Sequence, residues 1–484
     1  MISKIKNYYS NLNTVTKATI WFVIATTIQK CINFITMPIF TRMMSVDDYG
    51  IYTMYVSWIN IFFIFTSLRL DGSVFNKGMS KFKDDRVGFI VSIQLLSTII
   101  TIIVFIIYLI FNNFFNNLTE FSYPIMILMF IQLLFMPAYN FWILKKRYEY
   151  NYIKFSTVTI LTSLINVLIG IIVVKNSKSN LGEIRVYSYA ICQIFFSCIL
   201  YFVNIKNGIK KLNLKYIKYA LKFNIPLVPH YVSQYILDQL DRIMIQKMIN
   251  IGKAAVYNAC YSISFILKVF SDSFIAAITP WYYDHLDKKE YKKISDIFLP
   301  VFLSFTMFII LFVLLAPELV KLILPSKYYS GIPAIPPISI SIIFLMMYSF
   351  FGLLEFYFEE TKFSMFISSI GAVLNFVLNY IFIKKFGFIA AGYTSLICYI
   401  LFAIVHYYFS KHITIKNIGC PIFNDHSVIG ISILCILLTL IIALIYNFIL
   451  IRILFVLAIV IIIIINRKRI KIIFNTLNKD VKKI

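Results

Sequence analysis

Fourteen apolar runs, each about the 20 residues that cross a hydrocarbon core as a helix, decide what this chain can fold into. They lie near 14–38, 50–70, 88–111, 121–144, 153–174, 185–205, 219–243, 254–280, 297–317, 331–354, 363–383, 388–409, 427–447 and 449–466. Inside a bilayer no water satisfies backbone N–H and C=O groups, so such runs must close their hydrogen bonds as helices. The 484-residue chain is 60% hydrophobic and only 14% charged, where a soluble domain carries roughly 25% charged residues. The predicted class is therefore all-α, polytopic and membrane-embedded.

Charge orients the runs. With the N-terminus inside, and with Lys17, Lys154, Arg185, Lys222 and Arg452 near span starts counted with the adjoining loops, 31 of the 46 Lys and Arg fall in inside segments, 11 in outside loops and four (Lys30, Arg69, Arg242 and Lys268) within spans. That excess follows the positive-inside rule and places both termini in the cytoplasm. The run from Ala18 to Phe40 follows a basic start and carries no small-residue cleavage pattern, so it reads as a retained first helix. The tail Arg467-Lys468-Arg469-Ile470-Lys471 anchors the last span inside. The net charge of +25 is thus spent on topology and anionic lipid, not nucleic acid. The seven cysteines form no CxxC pair and read as small core residues, with no disulfide or metal framework. The loops leave no room for a soluble catalytic domain, and Walker A, HExxH and GxSxG sequences are absent. Composition and motifs point to a transporter without a cofactor, not an enzyme.

The halves echo each other. At an offset of 205 residues Lys17 meets Lys222, Gln29 meets Gln234, Arg42 meets Lys247 and Tyr52 meets Tyr257; at 209, Asn166 meets Asn375. Six helices repeated, plus two, predict a bundle in 1–210, a second in 211–410, and two extra helices with a basic tail in 411–484. Two such bundles would face a central cleft, where a substrate would bind.

Several segments resemble one family. Leu221-Lys222-Phe223-Asn224-Ile225-Pro226-Leu227-Val228-Pro229-His230, followed by Asp241-Arg242 and Ala255-Val256-Tyr257, resembles the seventh-helix signature of Wzx-type polysaccharide flippases. So do Phe40-Thr41-Arg42-Met43-Met44-Ser45-Val46-Asp47-Asp48-Tyr49-Gly50, Thr279-Pro280-Trp281-Tyr282, and Asn379-Tyr380 with Phe386-Gly387-Phe388. Ala255 departs from the usual glycine at its turn. The resemblance covers residues 1 to 410 and implies the multidrug/oligosaccharidyl-lipid/polysaccharide exporter superfamily. It also implies a substrate: undecaprenyl-diphosphate-linked oligosaccharide, the O-antigen or capsule repeat unit, exported across the inner membrane. Membrane lipids and the pathway's polymerase and chain-length machinery follow as implied partners.

Ionisable residues inside a span cost about 2.5–3.5 kcal/mol and so mark function. Lys30 stands on the first span and Arg69 at the mouth of the second; Asp238, Asp241 and Arg242 stand on the seventh; Lys268 and Asp272 stand on the eighth. As substrate-binding candidates, Lys30, Arg69 and Lys268 would meet a diphosphate, and Asp238 and Asp241 would take sugar hydroxyls or a coupling cation. Ion pairing alone is the competing account: Lys268 with Asp272 at i+4, or Lys30 with Asp238 or Asp241. Arg242 could instead snorkel outward. An inside-negative potential favours outward movement of each negative charge by roughly 2.3 kcal/mol per 100 mV, without ATP. Competing functions of the same fold are a cation-coupled drug exporter, expected to be rich in cleft acids, and a lipid II flippase.

Overall fold

The computed structural model describes residues 13–206, 208, 212–461 and 464–465. The basic tail at 467–471 lies outside them. Regular structure among the described residues is helical. Twelve helices are long and apolar enough to cross a membrane, and two more complete the predicted set. The twelve include α1 (Thr14–Met43), α2 (Val46–Ser67), α4 (Arg86–Ile110), α6 (Tyr123–Tyr148), α7 (Tyr152–Asn176) and α8 (Leu181–Lys206). Short helices α3 (Ser73–Lys81), α5 (Asn112–Thr119) and α9 (Leu214–Asn224) lie between spans. Then come α10 (Val228–Met248), α11 (Ile251–Asp287), α12 (Tyr291–Ile323), α13 (Ile335–Tyr357), α14 (Thr361–Phe386), α15 (Ala390–Ile418) and α16 (Asp425–Ile445), with α17 over Ile449–Ile461.

The two that fail the apolar criterion do so for physical reasons. Helix α17 is described over a short stretch only. Helix α10 has the length but carries Asp238, Asp241, Arg242 and Lys247. Its start is broken, and Pro226 gives the reason. Pro226 has no N–H to donate, and an interior proline clashes with the preceding turn; a 3-10 turn over Ile225–Leu227 therefore separates α9 from α10.

The chain forms two compact units, Met1–Tyr235 and Ile236–Ile484. In the first, α1 packs on α7 and α6 on α8. Beneath them Phe75, Met79, Phe89, Phe141 and Tyr216 tie α3 and α9 to α4 and α6. In the second, α13 packs on α15, and Phe298, Phe302, Phe350, Phe351 and Phe423 form its aromatic centre.

The repeat is visible as helix register. Val46 and Ile251 open α2 and α11, and Arg86 and Tyr291 open α4 and α12, each pair 205 residues apart. Tyr152 and Thr361 open α7 and α14, and Leu181 and Ala390 open α8 and α15, each pair 209 apart. Side-chain caps recur with it: Ser45 caps α2 and Asn250 caps α11. Between α14 and α15 the chain turns at Gly387, whose φ of +80° suits a residue without Cβ.

Candidate functional site

Helix α10 gathers charge on one side. Asp238 and Arg242 are one turn apart and Asp241 lies between them, so all three fall on neighbouring faces. Lys268 of α11 reaches Asp238 with Nζ 2.7 Å from Oδ1, and Asp272 follows one turn further along α11. The sequence's alternative, a pair along α11 itself, is therefore not where the short ion pair forms. Arg242, only 3% exposed, does not reach outward. Its Nη1 donates to the Asp238 carbonyl at 2.9 Å and to the Gln239 side chain, and its guanidinium lies 4.1 Å from the Tyr261 ring centre.

Asp241 is 4% exposed, and its hydrogen-bond donors are all neutral. Tyr257 Oη donates to Oδ2 at 3.0 Å, Ser395 Oγ to Oδ2 at 2.7 Å, and Asn379 Nδ2 to Oδ1 at 2.6 Å. Asn379 is held in turn by Asn375 Oδ1 at 3.1 Å and by the Thr394 hydroxyl. Four helices, α10, α11, α14 and α15, thus converge on one carboxylate. A buried carboxylate bonded only to neutral donors is costly, and the Tyr257 and Ser395 hydroxyls beside it are hard oxygens, which suit a proton or an alkali cation rather than a soft metal. Among the described residues no group of three His, Cys, Asp or Glu could hold a metal ion.

A cavity of about 20 Å³ lies nearby, lined by Tyr261, Phe265, Lys268, Ser341, Ser395 and Tyr399 among others. Its volume suits one water-sized group. Lys268, which pairs with Asp238, and Ser395, which bonds to Asp241, both line this mostly apolar cavity, so each acid is linked to it through one partner.

In the first unit, Lys30 is exposed on α1 and makes no hydrogen bond or ion pair among the described residues. Arg69 follows α2 in a left-handed conformation, φ +53°, beside Leu68 at +48°. Its Nε lies 3.5 Å from Asp71 Oδ1, and Asn140 donates to Asp71 Oδ2 at 2.9 Å. Burial pushes the Asp71 carboxyl above its usual range, against the opposing pull of Arg69 and Asn140. Lys30 and Arg69 do not bond to each other.

One buried charge escaped the sequence reading. Arg185 stands near the start of α8, where charge counting assigns it to a loop, yet it is 2% exposed. Its Nη2 donates to Asn166 Oδ1 at 3.0 Å and its Nη1 to Ser188 Oγ at 3.3 Å. The guanidinium lies 4.4 Å from the Phe40 ring centre and 4.6 Å from that of Tyr52. Gly170 makes room for it: a Cβ there would come within 2.6 Å of Nη1. The polar character of Asn166 was the available signal, since a buried side-chain oxygen implies a donor.

Comparison with known proteins agrees with this architecture. A membrane protein of Haemophilus influenzae without assigned function is 22% identical over 304 residues, 62% of this chain and 71% of its own. A second, from the Lsg locus of the same organism, is 22% identical over 283 residues, 57% of this chain and 67% of its own. Among solved structures, the lipid II flippase MurJ in an inward closed conformation superimposes with a TM-score of 0.70 at 18% identity, covering 93% of this chain and all of that one. An inward-facing MATE-family multidrug transporter gives 0.59 at 14%, covering 83% of this chain and all of that one. These neighbours are a flippase and a transporter rather than enzymes. Residues 15–285 match the family described as polysaccharide biosynthesis protein, and this multi-pass membrane chain belongs to that family.

Proposed function

We propose that the chain flips undecaprenyl-diphosphate-linked oligosaccharide, the O-antigen or capsule repeat unit, from the cytoplasmic to the outer leaflet of the inner membrane by alternating access. The observation that carries this reading is Lys30: a cation in the middle of a span, exposed and unpaired among the described residues. Such a charge is expensive against lipid and reasonable against an anionic substrate. Membership of a polysaccharide-biosynthesis family supplies the sugar, and a flippase-like fold supplies the movement.

Lys30 meets the diphosphate as a point charge, and Arg69 forks to it at entry. Lys268 is reached by exchange, the diphosphate competing with Asp238 for the ammonium. Asp238, once released, and Asp272 accept sugar hydroxyls. Asp241 takes the coupling cation, a proton or Na⁺, with the hydroxyls of Tyr257 and Ser395 around it, and Arg242 stabilises the adjoining turn of α10. Both termini are cytoplasmic, residues 1–210 and 211–410 act as the two moving bundles, and 411–484 is an appendage. The flipped product passes to the pathway's polymerase and chain-length machinery.

The test is leaflet assignment of the lipid-linked oligosaccharide in cells that depend on this chain. Lys30→Ala, at unchanged membrane abundance, traps the lipid-linked units in the inner leaflet. Normal surface glycan in that variant sinks the reading.

A further inference from the structure

The two buried charges, Arg185 and Asp241, stand at different positions of the repeat but in knots built from matching helices. Each is the centre of a knot of four helices: α1, α2, α7 and α8 around Arg185, and α10, α11, α14 and α15 around Asp241. The helix register pairs these elements one to one, in the same order. Two members of the knots are shared. Tyr52 and Tyr257 correspond at the 205 offset, and each ring or hydroxyl meets the buried charge. Asn166 and Asn375 correspond at 209; one accepts from Arg185, the other accepts from the Asn379 that holds Asp241.

The remaining members are exchanged. Where the second repeat has Asp241, the first has Thr36; where the first has Arg185, the second has Thr394. Gly170, whose missing Cβ admits the guanidinium, corresponds to Asn379, whose amide donates to the carboxylate. The first knot therefore surrounds a cation with neutral oxygens and aromatic faces, and no carboxylate lies within ion-pair distance of it among the described residues. Its Nε is buried without an acceptor. This is the lining of a cation site with its cation covalently attached.

We propose that Arg185 serves the first repeat as a permanently bound cation, in the knot that matches the one where the second repeat loads an exchangeable cation on Asp241. Each chain then has one loadable coupling site, not two. This rests on the assignment of Asp241 to the coupling cation, and the two ideas are separable by experiment.

Removing the side chain leaves its site. In purified full-length protein, Arg185→Gly gains thermal stabilisation from ethylguanidinium that saturates with concentration, as ligand linkage requires. Wild type does not, and Arg185→Gly with Asn166→Leu does not. A folded Arg185→Gly protein indifferent to ethylguanidinium overturns the proposal. Should that variant fail to fold, Arg185→Lys and Arg185→Gln decide instead. A fixed cation predicts surface glycan retained with Lys and reduced at least tenfold with Gln, at equal protein level. Equal behaviour of the two overturns it, because a hydrogen-bonding role alone is served by either. Asp241→Asn tests only the other idea: it abolishes the response of transport to a proton or Na⁺ gradient, and a preserved response removes Asp241 from coupling while leaving the Arg185 outcomes to stand or fall by themselves.

Discussion

Lys268 on α11 donates to Asp238 on α10 across 2.7 Å, while Asp241, less than one turn away on α10, is hydrogen-bonded to neutral donors only. The two acids therefore have different chemistry. Asp238 is part of a partly exposed ion pair that a competing anion can open, and Asp241 is a buried carboxylate with neutral hydrogen-bond donors and the Arg242 charge nearby.

The pair predicts a specific double-mutant result. With Asp238 over a third exposed and Lys268 partly so, breaking the pair costs about 1 kcal/mol of stability at most. Lys268→Ala should nonetheless lower surface glycan about tenfold or more, because the proposed role of Lys268 requires the cation itself. Adding Asp238→Ala should leave that loss in place. Full recovery in the double variant, normalised to protein level, would make the pair purely structural.

Arg69 separates folding from function. A non-glycine residue in the left-handed region costs about 1–2 kcal/mol, and φ here is +53°. Arg69→Gly should therefore match or exceed wild-type thermal stability while losing flux. Arg69→Lys keeps the cation without the fork and should fall between the two in surface glycan. Wild-type flux in Arg69→Gly would exclude a role at entry.

Asp71 gives a pH dependence with a definite sign. Burial raises its folded pKa above the ordinary carboxylate value, the opposing pulls of Arg69 and Asn140 notwithstanding. The folded state thus holds this proton more tightly than the unfolded chain does. Its contribution is most favourable below the ordinary carboxylate range and declines as pH rises through the folded pKa. Asp71→Asn should remove that decline and raise the melting temperature at neutral pH relative to wild type, with the gap closing in acid. A gap that widens in acid would reverse the sign and refute it.

What the sequence made legible follows from what has a period or a length. Twelve of the fourteen predicted runs are helices apolar and long enough to span among the described residues, readable because hydrocarbon thickness sets a run length, and α10 was readable as polar because its charges interrupt that run. The break before α10 was announced by Pro226. Contacts between helices have no such signature. Spacing offered Lys268 and Asp272 on one helix, whereas the short ion pair crosses to Asp238, which depends on how α10 lies against α11. Arg185 was missed for another reason: near a span end, composition alone does not distinguish a loop cation from a buried one, and the aromatic rings of Phe40 and Tyr52 that bury it are remote in sequence.

Arg452 repeats that lesson at the other end of the chain and carries the last prediction. Charge counting places it in an outside loop, but its guanidinium is buried at the start of α17 and grips α12. Both ends of the fork engage Glu318 at 2.7 Å, and Nη1 also reaches the Leu314 carbonyl at 2.5 Å. A bidentate pair of this geometry fixes orientation as well as energy. Because Glu318 is over a third exposed, Arg452→Ala should cost about 1–3 kcal/mol, the lower part of the range for breaking such pairs. Arg452→Lys should recover part of it, lacking the fork. The loss should be local to the contact of α17 with α12: a cysteine pair engineered between those two helices should cross-link efficiently in wild type and poorly in Arg452→Ala. Unchanged cross-linking in Arg452→Ala would mean that apolar packing alone holds α17 in place.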